Sequence, residues 1–255
     1  MLDYEKEAGH YDTLRGGEAR AHEAAQAVLG LIPGASGRLL DVACGTGIVT
    51  RRLAAARPGL RVTGADLTPA MVRRASARLP GAVVRADSRR LPFPDGTFDA
   101  VTSIWLLHLL DDPEDLRTVV AECARVLRPG GVYVTTVDKA AAHDVGSDID
   151  SVLAARPRRP AADAADTVTA HAVGVGLRPA AQGSFRGTGQ GRSPRSTIAD
   201  LRRGWFTQLP PGEPRTEEFA ARLAALPDQD RPRPDPRFSL RAFRRPGPGD
   251  VPSGG

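Results

Sequence analysis

From about Gly17 the chain settles into apolar positions spaced three and four apart, a pattern that runs to Leu31 and stops at Pro33 and Gly34. That spacing predicts an amphipathic helix laid on a core. From Arg38 the period shortens. "RLLDVA" predicts a strand, "GIVTRRLAAAR" a helix, "RVTGAD" a strand, "TPAMVRRASARL" a helix and "AVVRAD" a strand. "FDAVTSIWLL" predicts a fourth strand, "PEDLRTVVAECARVL" a helix and "GVYVTTV" a fifth strand. Apolar strands that alternate with helices predict a parallel sheet covered on both faces.

The second half carries weaker periodicity. Asp138 to Arg159 reads as loop-rich, Asp163 to Gly174 as a helix and "RPAAQGSF" (Arg178 to Phe185) as a strand. Ser196 to Leu209 and Thr216 to Leu226 read as helices, and "RFSLRAF" (Arg237 to Phe243) alternates like a final strand. Strand, helical insert and strand predict an antiparallel hairpin at the sheet edge, with an insertion placed to cap a substrate. The expected organisation is one domain over residues 1–243. It comprises an N-terminal arm or lid (1–34), a cofactor-binding core (35–137) and cap insertions (138–160 and 190–236). "RRPGPGDVPSGG", residues 244–255, has nothing to bury and is expected to be disordered.

Composition narrows the setting. A chain of 255 residues suits one α/β domain with insertions. No stretch approaches the roughly 18 to 20 apolar residues of a membrane span, and "MLDYEKEAGH" is too charged to open a secretory signal, so a cytoplasmic protein with no membrane partner is expected. The net charge of +5 and pI near 9.8 raise nucleic acid as a partner. Against this, Lys6 and Lys139 are the only lysines among 35 basic residues, a bias that, with 22 Pro, resembles GC-rich coding. The basic runs "RPRRP" and "RPRPDPR" are laced with proline and hold no aromatics to stack bases, so no nucleic-acid partner is expected. Cys44 and Cys123 form neither a disulfide framework nor a metal cluster, and no metal site is expected.

Ligands of a doubly wound sheet lie outside the carboxyl ends of its strands. Each of the first three strands ends at or near an acid: Asp41, Asp66 and Asp87. After Asp41 the chain enters "ACGTG", whose Gly45 and Gly47 permit a tight turn and close approach of backbone N–H groups. Thr50 stands where a dinucleotide fingerprint has its third glycine, and the Asp41 carboxylate would repel a pyrophosphate. A ligand with an amine at this turn fits better. Asp66, 19 residues after Gly47, is placed to accept from two ribose hydroxyls, and Asp87 to accept from an exocyclic amine. A ribose, an adenine and an amino-acid end together describe S-adenosylmethionine.

The stretches "LLDVACGTG", "VTGADLTPAMV", "ADSRRLPFPDGTFDAV" and "ARVLRPGG" resemble, in order over about residues 39–131, the motifs of class I S-adenosylmethionine-dependent methyltransferases that act on small molecules. The resemblance implies a Rossmann-like, doubly wound seven-stranded sheet with an antiparallel last strand. It implies that Gly45 and Gly47 border the methionine part of the cofactor and that Asp41 supports its amino group. It also implies that Asp66 takes the ribose, that Leu67 and Met71 pack near the adenine, and that Asp87 with Ser88 borders the adenine amino edge. Ala43 stands where many members have glycine. The N-terminal "DYEKEAGHYDTLRGG" resembles a segment that folds over the cofactor. In it Tyr11 closes on the methionine end, Arg15 or Arg20 meets the carboxylate, and Gly16 and Gly17 form a hinge.

Ile104, Trp105 and His108 lie where the resemblance puts cofactor and acceptor contacts. His108 is the candidate base, or else holds its own loop, and Trp105 walls the pocket or packs the core. His143 and Asp144 fall in a region that lines the acceptor in relatives, and Trp205 with Phe206 offers an apolar face for the cap. The expected activity is methyl transfer to an oxygen, nitrogen or carbon nucleophile of a small molecule, plausible for bacterial natural-product biosynthesis, by a monomer or homodimer. RNA or protein methylation is the alternative, but Ser103 to Leu106 replaces the Asn/Asp-Pro-Pro-aromatic motif expected for base amino groups. A binding subunit without catalysis is the other, though the cofactor motifs are undamaged.

Overall fold

The computed structural model describes residue 5 and residues 11–14, 16–157, 161–205 and 209–249. Strands β1 (Arg38–Val42), β2 (Arg61–Asp66), β3 (Val83–Arg85), β4 (Phe98–Ser103), β5 (Leu127–Val137), β6 (Arg178–Arg186) and β7 (Arg237–Arg244) form one sheet in the order β3-β2-β1-β4-β5-β7-β6. The first five are mutually parallel, and β7 runs antiparallel to both β5 and β6. The expected sheet and its reversed final strand are therefore present. Chain order reverses between β1 and β4, which leaves a crevice at their carboxyl ends.

The described helices of eight residues or more are α1 (Gly17–Leu31), α2 (Ile48–Ala56), α3 (Pro69–Arg78), α4 (Pro113–Val126), α6 (Ala165–Gly174), α7 (Pro194–Arg202) and α8 (Pro214–Ala224); α5 (Asp148–Leu153) is shorter. The two-residue period of the strands divides the core. Leu39, Val132 and Val134 face α1, α2 and the β6–β7 hairpin, whereas Leu40 and Tyr133 face α4 and α6. A third apolar cluster joins α5, α7 and α8 through Ile149, Leu153, Leu201, Leu209, Phe219 and Leu223. The stretches on either side of β6 thus share one small core. Arg233 ties the returning chain to α5 by a bidentate pair with Asp148, at 2.7 Å to each oxygen.

Four boundaries differ from expectation. Residues 138–159 contain α5, begun by a capping box in which Ser147 and Asp150 satisfy each other's backbone N–H groups. The fourth strand stops at Ser103, because Trp105 adopts φ 61 and turns the chain out of the sheet. The helix expected to reach Leu209 ends at Arg202. The terminal stretch has something to hold at its start: β7 runs through Arg244, and the Arg245 guanidinium donates to the carbonyls of Ala124, Arg125 and Leu127. Residues 250–255 lie outside the described residues. Among the described residues no helix is long and apolar enough to cross a membrane.

Gly47 sets how closely α2 and α3 approach. It has φ 74, and a Cβ there would stand 2.9 Å from Ala75 Cβ of α3. Gly45 has φ 57 but opens on free space. Gly47→Ala is expected to cost about 2 kcal/mol and to lower the Tm by roughly 4–8 °C, whereas Gly45→Ala pays only its backbone term of about 1 kcal/mol. Thermal melts of the two variants check this, and equal losses would count against the packing role of Gly47.

Candidate cofactor and acceptor site

β1 delivers Asp41 to the crevice, where its side chain is buried and Oδ2 accepts from Thr50 Oγ1 at 2.6 Å. The chain then enters the left-handed region at Ala43, Gly45 and Gly47, with φ 56, 57 and 74. In this coil the Cys44 N–H donates to the Ala65 carbonyl at 3.0 Å and the Gly47 N–H to the Cys44 carbonyl at 3.0 Å. Ala43 tolerates a conformation that favours glycine, so the departure noted in the sequence leaves the turn intact.

Asp66 ends β2, is 8 % exposed, and links the turn to the next helix. Its Oδ2 accepts from the Gly45 N–H at 2.8 Å and its Oδ1 from the Thr68 N–H at 2.9 Å. Each carboxylate oxygen retains capacity for a second donor, as a vicinal diol would supply. Leu67, the next residue, is 55 % exposed, an apolar side chain in solvent beside a buried acid, while Met71 on α3 is buried. Open space at Gly45, a diol acceptor at Asp66 and an exposed apolar surface at Leu67 fit S-adenosylmethionine.

Burial dominates the electrostatics. It pushes the Asp41 carboxyl up to about 7, partly offset by the Thr50 hydroxyl and aided by the nearby Asp66 charge. Burial also raises Asp66 above the ordinary carboxyl range, opposed by the N–H groups that it accepts. Cys44, buried and beside both acids, is held well above the usual thiol range and is a packing residue, not a nucleophile.

The N-terminal segment reaches this turn through contacts that the sequence pattern did not reveal. Asp12, on a helical turn (Tyr11–Leu14), accepts from Thr46 Oγ1 and from Arg78 Nη2, both at 2.6 Å. Arg78 also donates to the Thr46 carbonyl at 2.7 Å. Glu5 accepts from the Ala70 N–H at 2.9 Å, in the first turn of α3, and pairs with Arg73. Gly16 and Gly17, the expected hinge, both have positive φ, and a Cβ at Gly16 would stand 2.4 Å from the Thr188 carbonyl oxygen. The Tyr11 side chain and Arg15 lie outside the described residues. Arg20 is buried, with its guanidinium 4.2 Å from the Trp105 ring centroid.

The remaining candidates separate into three places. Asp87, beyond β3, is engaged by its own neighbour: Oδ2 meets Arg89 Nη2 at 2.7 Å and Oδ1 accepts the Arg89 N–H at 2.9 Å, and this hydrogen bonding lowers its pKa. Ser88 is half-buried between them. At the exit of β4, Ile104 is buried against α1 and α2, and Trp105 meets Phe185 and Phe238 edge-on at 5.5 and 5.6 Å. His143 joins the same stack, 5.5 Å from Phe238, and lines a cleft with Asp150, Gln190 and Arg192. His108 stands apart, its Nε2 2.9 Å from Lys139 Nζ. Trp205 is half-buried under Arg203 at 5.7 Å and lies outside the apolar cluster of α5, α7 and α8; Phe206 lies outside the described residues. Among the described residues no cluster of acids, histidines and cysteines is arranged to hold a metal ion.

Comparison with known proteins agrees with this geometry. Residues 40–135 match the family described as "Methyltransferase domain". A ubiquinone/menaquinone biosynthesis C-methyltransferase of Desulfotalea psychrophila is 41% identical over 102 residues, which cover 39% of this chain and 40% of the relative. A 27-O-demethylrifamycin SV methyltransferase of Amycolatopsis mediterranei is 40% identical over 110 residues, covering 40% of this chain and 39% of the relative. The chain thus spans well under half the length of these curated relatives. The fold extends further: the crystal structure of the [4+2]-cyclase SpnF superimposes with a TM-score of 0.60 over 96% of this chain and 94% of that chain, at 19% identity. Residues 40–135 are thus similar to a methyltransferase domain, and from the N-terminal helix to the reversed last strand the chain shares the fold of that solved structure.

Proposed function

We propose that this chain transfers a methyl group from S-adenosylmethionine to an oxygen, nitrogen or carbon nucleophile of a small molecule. The carrying observation is the pair of buried carboxylates, Asp41 and Asp66, at the ends of adjacent parallel strands and bridged by the Gly45 turn. Two acids at a glycine turn repel a pyrophosphate and favour a cationic amine and a diol. When bound, the cofactor supplies a methyl group that its sulfonium has already made electrophilic. The protein's own work is placement. Asp66 fixes the ribose, Asp41 draws the amino group, Leu67 and Met71 meet the adenine with Ser88 near its edge, and Gly45 leaves room at the methionine end, bordered by Gly47 and Ile104. Holding the acceptor in line supplies about 7–11 kcal/mol of the barrier reduction.

The arm over residues 1–34 closes on the cofactor in this reading, supported by the bonds that Glu5 and Asp12 make to α3 and the glycine turn. Residues 138–160 and 190–236 form the cap, with Trp105 and His143 on the acceptor side of the aromatic stack and Trp205 at the outer edge. The relatives act in ubiquinone or menaquinone biosynthesis and on a demethylated rifamycin, at carbon in one and at oxygen in the other, which supports a small acceptor. A tailoring step in bacterial natural-product biosynthesis is the favoured setting. His108 is a poor candidate base, because its Nε2 is engaged by Lys139.

Calorimetry with S-adenosylhomocysteine tests the core claim, and a folded sample that does not bind refutes it. Asp66→Ala is expected to weaken binding at least tenfold, since about 1.5–3 kcal/mol attaches to each hydrogen bond with a charged group. Binding equal to wild type would remove Asp66 from the ribose.

Asp41 gives a pH signature. Its folded pKa of about 7 exceeds its ordinary 3.8, so the stability contributed by its neutral form is complete below the ordinary value and is lost as pH rises through about 7. Asp41→Asn is therefore expected to gain Tm relative to wild type as pH rises from about 4 to 7, by about 2–4 °C per kcal/mol. A cationic amine bound beside Asp41 requires the ionised form. Affinity for the cofactor should then rise with pH up to about 7 and level off, and Asp41→Asn should flatten the profile. Calorimetry in buffers of different ionisation enthalpy detects the released proton, and a wild-type profile as flat as the variant's separates Asp41 from the amine.

A further inference from the structure

The sheet has two edges, and they are defended unequally. At one end β3 is three residues long and offers a further strand little to pair with. At the other, β6 runs for nine residues, and residues 178–182, 184 and 186 are exposed. Pro179 and the register shift that follows it blunt the start of β6. Residues 180–184, AAQGS in sequence, carry no proline, no charge and no bulky apolar side chain. Successive residues of a strand point their N–H and C=O groups to alternate sides, so every second residue of β6 turns these groups away from β7. Among the described residues no backbone hydrogen bond joins residues 179–186 to any element other than β7.

The two faces beside this edge differ. α1 covers one: Gly183 lies so close to Leu31 that a Cβ there would stand 3.2 Å from Leu31 Cδ1, and Phe185 is buried against Phe238. On the opposite face Phe243 is buried with Val168 and Ala172 of α6. Beyond it the register sets Gln182 beside Arg241, Ser184 beside Ser239 and Arg186 beside Arg237. Three arginines thus share one face of two strands. Arg186 Nε meets Asp235 Oδ2 at 3.1 Å, and the other oxygen of that acid accepts from the N–H groups of Gln190 and Gly191. Arg237 Nη1 donates to Ser184 Oγ at 2.8 Å, and half-buried Arg241 has no carboxylate partner among the described residues.

We propose that β6 and its arginine-bearing face bind an extended acidic segment of a partner protein, which adds to the sheet as an eighth strand and sets its carboxylates over Arg186, Arg237 and Arg241. Backbone pairing supplies the affinity, and the charges select the sequence. A strand added about 4.8 Å outside β6 brings its side chains alongside the β6 row, and guanidinium forks match carboxylates in shape as well as charge. A second copy of this chain fits the edge poorly. The antiparallel register that pairs the whole strand sets Arg178 opposite Arg186 of the other copy at both ends, and like charges opposed in this way destabilise a sheet. A nucleic acid fits poorly too, because the six residues of the open face include no aromatic on which a base could stack.

The test uses the full chain and a fluorescently labelled peptide of alternating glutamate and threonine, as long as β6, read by anisotropy at low salt. Saturable binding is expected, at least tenfold tighter than that of a lysine–threonine peptide and lost when every backbone nitrogen of the peptide is methylated. Hydrogen exchange on the wild-type chain should show new protection at residues 178–186 when the peptide is bound. Arg237→Gln combined with Arg241→Gln should weaken binding at least tenfold and leave the Tm unchanged, since neither arginine takes part in an ion pair among the described residues. No saturable binding, equal binding of the lysine or the methylated peptide, protection confined to other residues, or an undiminished affinity in the double variant overturns the proposal. So does tighter binding of an oligothymidylate or of phosphatidylserine vesicles, which would make the face a general polyanion surface.

Discussion

One buried carboxylate holds the first half of the sheet and its glycine turn in register. Asp66 accepts from the Gly45 N–H on one side and the Thr68 N–H on the other, so the glycine turn after β1 and the start of α3 are fixed to the same two oxygens. Without it, two backbone donors at a crowded strand end would lose their partners, each at a cost of about 1–3 kcal/mol. The close contact of Gly47 with Ala75 follows from the same geometry, because helices that start from one anchor must cross near it. The packing of the turn and of α3 therefore draws on a single residue, and its elevated pKa records the burial that this requires.

Asp41 shows how a departure from a familiar pattern gains a physical meaning. Thr50, where a dinucleotide fingerprint has its third glycine, donates its hydroxyl to Asp41 at 2.6 Å. The position does not fail to be glycine; it supplies the polar partner that a buried acid needs. A similar economy links the aromatic residues. Arg20 of α1 covers Trp105, Trp105 meets Phe185 and Phe238 of the hairpin, and Phe238 meets His143 after β5. α1, the exit of β4, the β6–β7 hairpin and the turn after β5 are thereby mechanically connected.

The sheet was legible in the sequence because its information is local. Leu39 and Leu40 are adjacent apolar residues that face opposite layers, and such runs between glycine turns define parallel strands. Asp41 and Asp66 were legible for the same reason, as acids at strand ends. What escaped detection depends on partners distant in the chain: Asp12 with Arg78, Glu5 with the Ala70 N–H, and Lys139 with His108. Asp87 lies two residues past β3, near the strand end where the sequence put it, but its engagement by Arg89 depends on a rotamer, which periodicity does not report. The short helix α5 carried a signal in Ser147 and Asp150, yet six residues offer too little periodicity to outweigh the surrounding glycine and proline.

The reversal of β7 has a consequence for how such a protein diversifies. Because β6 runs parallel to β5 and β7 returns against both, the chain leaves the sheet and re-enters it at the same rim where the donor turns open. Whatever is inserted between Arg186 and Arg237 grows outward over that rim, and its length leaves the register of the seven strands untouched. The insertion and the Asp41 and Asp66 turns thus lie on separable stretches of one chain. A change of length or composition in the insertion leaves the Asp41 and Asp66 turns as they are.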